Sequence, residues 1–174
     1  MGLHLRQWMV VMVAPAVLAA CSSTPTEEGN VGVSDRDVAA SAVASGSPSE
    51  ALLAEIKNPA HPAHQRSIYF DFDRYEIKPE YQSLVVAHAQ LMQKYPTVKV
   101  LIQGNADERG SREYNLALGQ KRAEAVKQAL AALGVAAERI EAVSLGEEKP
   151  VCTERNESCY AQNRRADILY EGEF

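Results

Sequence analysis

Two residues in the segment NADERGSREYNLALGQKRAEAV, Asn105 to Val126, have the types and spacing to act together. Asp107 sits in a charged loop that leads into a helix-like run. Arg122 falls inside that run, in line with Leu118, Val126 and Leu130 at multiples of four residues. A guanidinium in an apolar stripe needs an anion, because an unpaired charge held out of water is very costly. Asp107 is the nearest candidate in sequence, and an acid there also suits the positive end of the helix that follows. Two outcomes stay open. In the first, the pair is a structural ion bridge, or Arg122 snorkels to the surface with no further role. In the second, a carboxylate and a guanidinium held side by side in a shallow pocket receive a zwitterion, Asp107 taking its ammonium and Arg122 its carboxylate in bidentate fashion.

The elements that must position this pair follow from periodicity. In RSIYFDFD, Ile68, Phe70 and Phe72 alternate with Tyr69 and Asp71, the pattern of a half-buried strand. Pro79 suits a first helical turn, and Tyr81, Leu84, Val85, His88, Leu91, Met92 and Tyr95 then recur at helical spacing until Pro96 stops them. TVKVLIQG repeats the strand pattern, REYNLALGQKRAEAVKQALAALG is a long helix ended by Gly134, and RIEAVSLG and RRADILY are two more strands. No internal repeat is evident. This order predicts one α/β domain over residues 66–174, an α+β two-layer sandwich with both helices on one face of a four-stranded mixed sheet.

The first twenty residues read as an export signal. MGLHLRQ supplies a short basic region with Arg6, and WMVVMVAPAVLA is apolar but too short, and broken by Pro15, to span a bilayer comfortably. The stretch closes on LAAC, Leu18 to Cys21, which resembles the bacterial lipobox. Cys21 would then be acylated on sulfur and become the new N-terminus; the alternative is an ordinary signal peptide with a chance cysteine. Several acyl chains anchor a protein stably where one does so reversibly. Ser22, where enterobacterial sorting would need Asp to retain the protein at the inner membrane, points by resemblance to the outer membrane. Residues 21–65 are dominated by Ala, Ser, Gly, Pro, Thr and acids, which bury too little to offset chain entropy, so a mostly disordered lipidated tether is expected. At about 3.3 Å per residue, roughly forty residues would span on the order of 130 Å. One exception is SPSEALLAEIKN, where Ser49 would cap a short helix with Leu52, Leu53 and Ile56 on one side and no evident partner. Loss of the first twenty residues leaves 154 and shifts the formal net charge from −5 to −6, which argues against nucleic acid as a partner.

With Cys21 assigned to lipid, Cys152 and Cys159 in CTERNESC remain as neighbours in an exported segment, and a disulfide is the simplest reading. A metal pair would lack further ligands nearby. His88 lies in the apolar stripe of the first long helix and reads as a satisfied core-edge histidine. His61 and His64, flanking Pro62, are a weak metal candidate. No G-x-S-x-G, no H-E-x-x-H and no paired His and Cys occur in the predicted domain, so the enzyme reading is weak and no cofactor is expected.

GNADERGSREYNLALGQKRAEAV, with IYFDFD before it and NRRADI after it, resembles the OmpA-like peptidoglycan-binding domain family, and the layout of lipobox, tether and domain is similar to that of its peptidoglycan-associated lipoproteins. The resemblance spans about Ser67 to Tyr170. It implies that the ligand is the free amino-acid end of diaminopimelate in the peptidoglycan stem peptide, with Asp107 on its ammonium and Arg122 on its carboxylate. Phe72, Asp73, Asn115 and Leu118 would line the rest of the pocket, partly through backbone groups, and Asn163 to Arg165 its rim. It also implies an outer-membrane lipoprotein facing the periplasm that links membrane to wall, with TolB and the Tol-Pal system as partners in envelope constriction. Two departures stand out: many relatives carry His where this chain has Asn105, and VCTERNESCYAQ replaces a commoner cysteine-free loop. A purely structural envelope protein and a cell-wall amidase or peptidase are the competing functions.

Overall fold

The computed structural model describes residues 46–174; the expected signal peptide, Cys21 and the first part of the expected tether lie outside the described residues. Four strands, β1 (Ser67–Tyr69), β2 (Val100–Asn105), β3 (Ile140–Gly146) and β4 (Arg165–Tyr170), form one mixed sheet in the order β1-β4-β2-β3. β4 runs antiparallel to both β1 and β2, whereas β2 and β3 are parallel and are joined by a helical crossover. Among the described residues four α-helices accompany them: α1 (Pro48–Ile56), α2 (Gln82–Lys94), α3 (Arg112–Ala132) and α4 (Glu157–Asn163). No described helix is long and apolar enough to cross a membrane.

Alternation along the strands sends Ile68, Val100, Ile102, Ile140, Ala166, Ile168 and Tyr170 to one face of the sheet, where they meet Leu84, Val85, Leu91 and Met92 of α2 and Val126 and Leu130 of α3. This is the two-layer arrangement the pattern predicts. The helix α3 runs from its Ser111 cap, whose side chain accepts from Tyr114 N, to Gly134, which turns the chain at φ +91°.

Three expectations are corrected. The short N-terminal helix is capped by Ser47, not Ser49: the Ser47 hydroxyl accepts from Glu50 N while Glu50 returns to Ser47 N, a reciprocal capping box that places Pro48 at the first helical position. This helix belongs to the core rather than to a disordered tether. Leu52 and Ile56 are buried in the same cluster as the sheet residues, each burial contributing about 1.5–3 kcal/mol, and Glu55 receives bonds from Lys94 and Tyr95. The packed body therefore includes α1, ahead of position 66. The first strand is also shorter than its alternation suggests. It stops at Tyr69, Phe70 stays buried, and Phe72 is 57% exposed, because the chain leaves the sheet and turns at Asp71, whose carbonyl accepts from Arg74 N.

His88 is fully buried, with Nδ1 2.7 Å from the Tyr170 hydroxyl and Nε2 2.9 Å from the Gln65 carbonyl. A carbonyl only accepts, so Nε2 carries the proton and Nδ1 accepts from Tyr170. Burial lowers the pKa of His88 to about 4. The unfolded chain, with a histidine near 6.5, binds that proton first, so stability is full above pH ~6.5 and falls as pH drops toward 4, by about 3 kcal/mol in all. Urea unfolding at pH 7 and pH 4.5 should show this loss, and His88→Gln should flatten it. His61 and His64 serve the turn after α1, His61 bridging to Glu55 and His64 bonding the Ile56 carbonyl. Among the described residues no group of three His, Cys, Asp or Glu side chains is arranged to hold a metal.

Candidate functional site

The floor of the site is set by how closely α3 approaches β2. Gly104 of β2 and Gly119 of α3 face each other with no side chain between them: a Cβ on Gly104 would lie 1.8 Å from the Gly119 carbonyl oxygen. That contact draws Arg122, one turn further along α3, over the end of β2. Its guanidinium then bonds three backbone carbonyls, Nε to Arg74 (2.9 Å), Nη1 to Asn105 (2.8 Å) and Nη2 to Asp71 (3.2 Å), and packs on the Phe70 ring.

Arg122 therefore does not pair with Asp107, and the ion bridge that was one of the two outcomes left open is absent among the described residues. Three peptide dipoles solvate the buried cation instead, and they tie the loop after β1 to both β2 and α3. Each terminal nitrogen of Arg122 uses one N–H on a carbonyl and keeps a second that a carboxylate could take. Burial, reinforced by the nearby Arg164 cation, lowers the Arg122 pKa to about 10, so it is charged at neutral pH.

Asp107 is paired elsewhere. Its Oδ2 lies 2.7 Å from Arg109 Nη2 and 3.3 Å from Arg164 Nη1, and its Oδ1 accepts from Arg109 N and Nε. Burial acts to raise its pKa, but the bonds from Arg109, with a further one from Arg164, outweigh it and hold the carboxyl below the usual range. Arg164 is itself fixed by the Phe70 carbonyl and Glu157. Arg109 stacks between the rings of Phe72 (4.2 Å) and Tyr160 (4.4 Å).

Phe72, Asp107, Arg109, Arg122 and Arg164 line an open cavity of about 220 Å³. All six expected pocket residues line it: Phe72, Asp73, Asp107, Asn115, Leu118 and Arg122. Asp73, in a left-handed conformation at φ +58° that Asp tolerates better than most residues, accepts a bond from the Tyr114 hydroxyl across the mouth. Asn115 donates to Glu147. Sequence reasoning missed Arg109 and Tyr114 and gave Arg164 only as part of a rim. Of the segment 163–165, Arg164 alone lines the cavity; Asn163 pins the loop through Val151 N and Cys152, and Arg165 turns to Asp167. The Asn105 side chain likewise points to Asp167 and the Gln103 carbonyl, so only its backbone serves the site. Cys152 and Cys159 form a disulfide, in place of any metal pair. That disulfide fixes the start of α4, which presents Glu157 and Tyr160 to Arg109 and so reaches the cavity wall.

Comparison with known proteins agrees with this architecture. Residues 69–164 match the model of the OmpA family. The peptidoglycan-associated lipoprotein of Haemophilus influenzae is 42% identical over 162 residues, 93% of this chain and 95% of the relative. That of Legionella pneumophila is 37% identical, covering 92% and 93%. The crystal structure of the peptidoglycan-associated lipoprotein from Burkholderia pseudomallei superposes with a TM-score of 0.66 at 55% identity, over 67% of this chain and 99% of that one. With a mixed four-stranded sheet and matches of this extent, the chain belongs to the OmpA family, among its peptidoglycan-associated lipoproteins.

Proposed function

We propose that the protein is a non-catalytic outer-membrane lipoprotein that captures peptidoglycan through the free amino-acid end of diaminopimelate and so links the outer membrane to the cell wall. Residues 1–20 are its signal peptide, Cys21 its acylated N-terminus, and the segment between Cys21 and α1 a tether that lets the domain reach the wall from the membrane. The coarse role draws support from relatives named for peptidoglycan association that align along almost the whole chain. Within that role, TolB and the other Tol-Pal components are its periplasmic partners, and the linkage serves envelope integrity and constriction at division.

The observation that carries the ligand reading is the charge inside the cavity. A carboxylate and a guanidinium line the same 220 Å³ space without being bonded to each other, Arg122 with two N–H groups to spare. A zwitterion bridges two such groups: its ammonium joins Asp107, its carboxylate the Arg122 fork. Leu118 and Phe72 then line the apolar part of the cavity, beside the methylene chain of diaminopimelate.

The test is sedimentation of the full chain with isolated peptidoglycan. The wild type should pellet, Asp107→Asn should stay largely in solution, and no soluble wall fragments should appear. Pelleting of Asp107→Asn to the wild-type extent would contradict the ligand assignment. Release of fragments would make the protein a hydrolase.

A further inference from the structure

Asp107 has no free oxygen. Oδ1 holds Arg109 through both its backbone N (3.0 Å) and its Nε (3.1 Å), and Oδ2 holds Arg109 Nη2 and Arg164 Nη1. Asp107 is only 4% exposed and Arg122 not at all, so an arriving ammonium meets a carboxylate already neutralised and sealed from water. One of the two cations has to give way, and they are not equally fixed. Arg164 is buried and anchored on the Phe70 carbonyl at 3.1 Å. The Arg109 side chain is 34% exposed and lies between two rings. Its Nη1 already reaches outward to Glu157, which is 64% exposed and can hold the guanidinium after it leaves Asp107. The Arg109 backbone N–H would stay on Oδ1 and keep the carboxylate oriented.

We propose that Arg109 is a tethered competitor for the ligand's ammonium: it occupies Asp107 in the empty pocket, swings toward Glu157 when a zwitterion binds, and thereby sets the affinity. This rests on the reading of the pocket as a zwitterion site. The exchange leaves the charge count at Asp107 unchanged, one cation replacing another, so no buried carboxylate is left unpaired at any stage. What the ligand gains on Asp107 is reduced by what Arg109 gives up, and attachment becomes readily reversible. A wall link made through such a pocket can let go and rebind as the envelope moves. A ligand that lacks the amine has no group to exchange for Arg109 on Asp107, so it does not compete with that cation.

That asymmetry supplies the test. The full chain, purified in detergent, is titrated calorimetrically with a stem tripeptide containing diaminopimelate and with the same peptide carrying 2-aminopimelate, which lacks only the far amine. Arg109→Met keeps a long side chain between Phe72 and Tyr160 but removes the bonds to Asp107, and Arg109→Lys keeps a tethered cation. The Met variant should bind the diaminopimelate peptide about tenfold more tightly than wild type, and the amine-free peptide no better or more weakly. The Lys variant should return toward wild-type affinity. Weaker binding of the diaminopimelate peptide by the Met variant, or a shift of both peptides in the same direction, would overturn the competitor role while leaving the pocket assignment intact. Wild-type binding that is absent, or that is insensitive to Asp107→Asn, would remove the pocket assignment and the competitor with it.

Discussion

Arg122→Ala should lower the free energy of unfolding by about 2–4 kcal/mol, in addition to removing peptidoglycan binding. The side chain that vanishes is fully buried, and its loss takes a donor from the carbonyls of Asp71, Arg74 and Asn105, of which Asp71 keeps the bond from Arg74 N, and leaves a void beneath the Phe70 ring. A buried acceptor left unsatisfied costs about 1–3 kcal/mol, which applies to the Asn105 carbonyl, and this with the void left by a fully buried side chain exceeds the relief gained by no longer burying a cation whose pKa burial has lowered to about 10. Urea unfolding of the variant beside wild type measures this. A loss below about 0.5 kcal/mol would mean that the three carbonyl bonds are not what shapes the loop. The same geometry predicts that Arg122→Lys is not conservative, since one ammonium on a flexible stem cannot span three carbonyls and still offer a fork to a ligand. Its binding should fall with the Ala variant rather than with wild type.

Gly104→Ala should be at least as disruptive, with an expected cost of about 3 kcal/mol or more and a domain that folds poorly at 37 °C. The added methyl would sit 1.8 Å from the Gly119 oxygen and 2.7 Å from its carbon, both backbone atoms of α3, so relief requires the whole helix to retreat. Retreat of α3 draws Arg122 off the Asn105 carbonyl and opens the pocket floor. Gly119→Ala should be milder, because its Cβ first meets the Ser144 hydroxyl at 2.3 Å, a side-chain atom that can rotate away, and then the Gly104 oxygen at 2.8 Å. Thermal unfolding of the two variants should rank them in that order. The reverse order would show that the contact is less rigid than described.

The layout of the domain was legible because it rests on side-chain periodicity. Ile68, Val100, Ile102 and Ile168 announce strands with one buried face, and Leu84, Val85, His88, Leu91 and Met92 a helix stripe. Arg122 stood out for the same reason, as the polar member of an apolar row. Its partners did not, because they are backbone carbonyls, which every residue carries and no pattern marks. The rule that a buried guanidinium needs an anion was too narrow: three well-aimed carbonyl oxygens also satisfy it. Arg109 was missed because an arginine in an exposed-looking loop resembles any solvated charge, although its place two residues after Asp107 put a cation within reach of the carboxylate from the start. The capping box of Ser47 and Glu50 was also present in the sequence. Pro48 suits the first helical position, so the cap falls on Ser47 just before it rather than on Ser49.

Asp107 and Arg122 together should select a zwitterion. A calorimetric titration of the wild-type chain with a stem peptide containing diaminopimelate, and with the same peptide containing lysine, tests it without any substitution. Lysine keeps the amine and lacks only the second carboxylate. Saturable binding of the diaminopimelate peptide, with the lysine peptide weaker by about 100-fold as expected for loss of a bidentate charged pair, is the result this geometry predicts. Equal affinity for the two peptides would contradict it, since the Arg122 fork would then have no part in recognition.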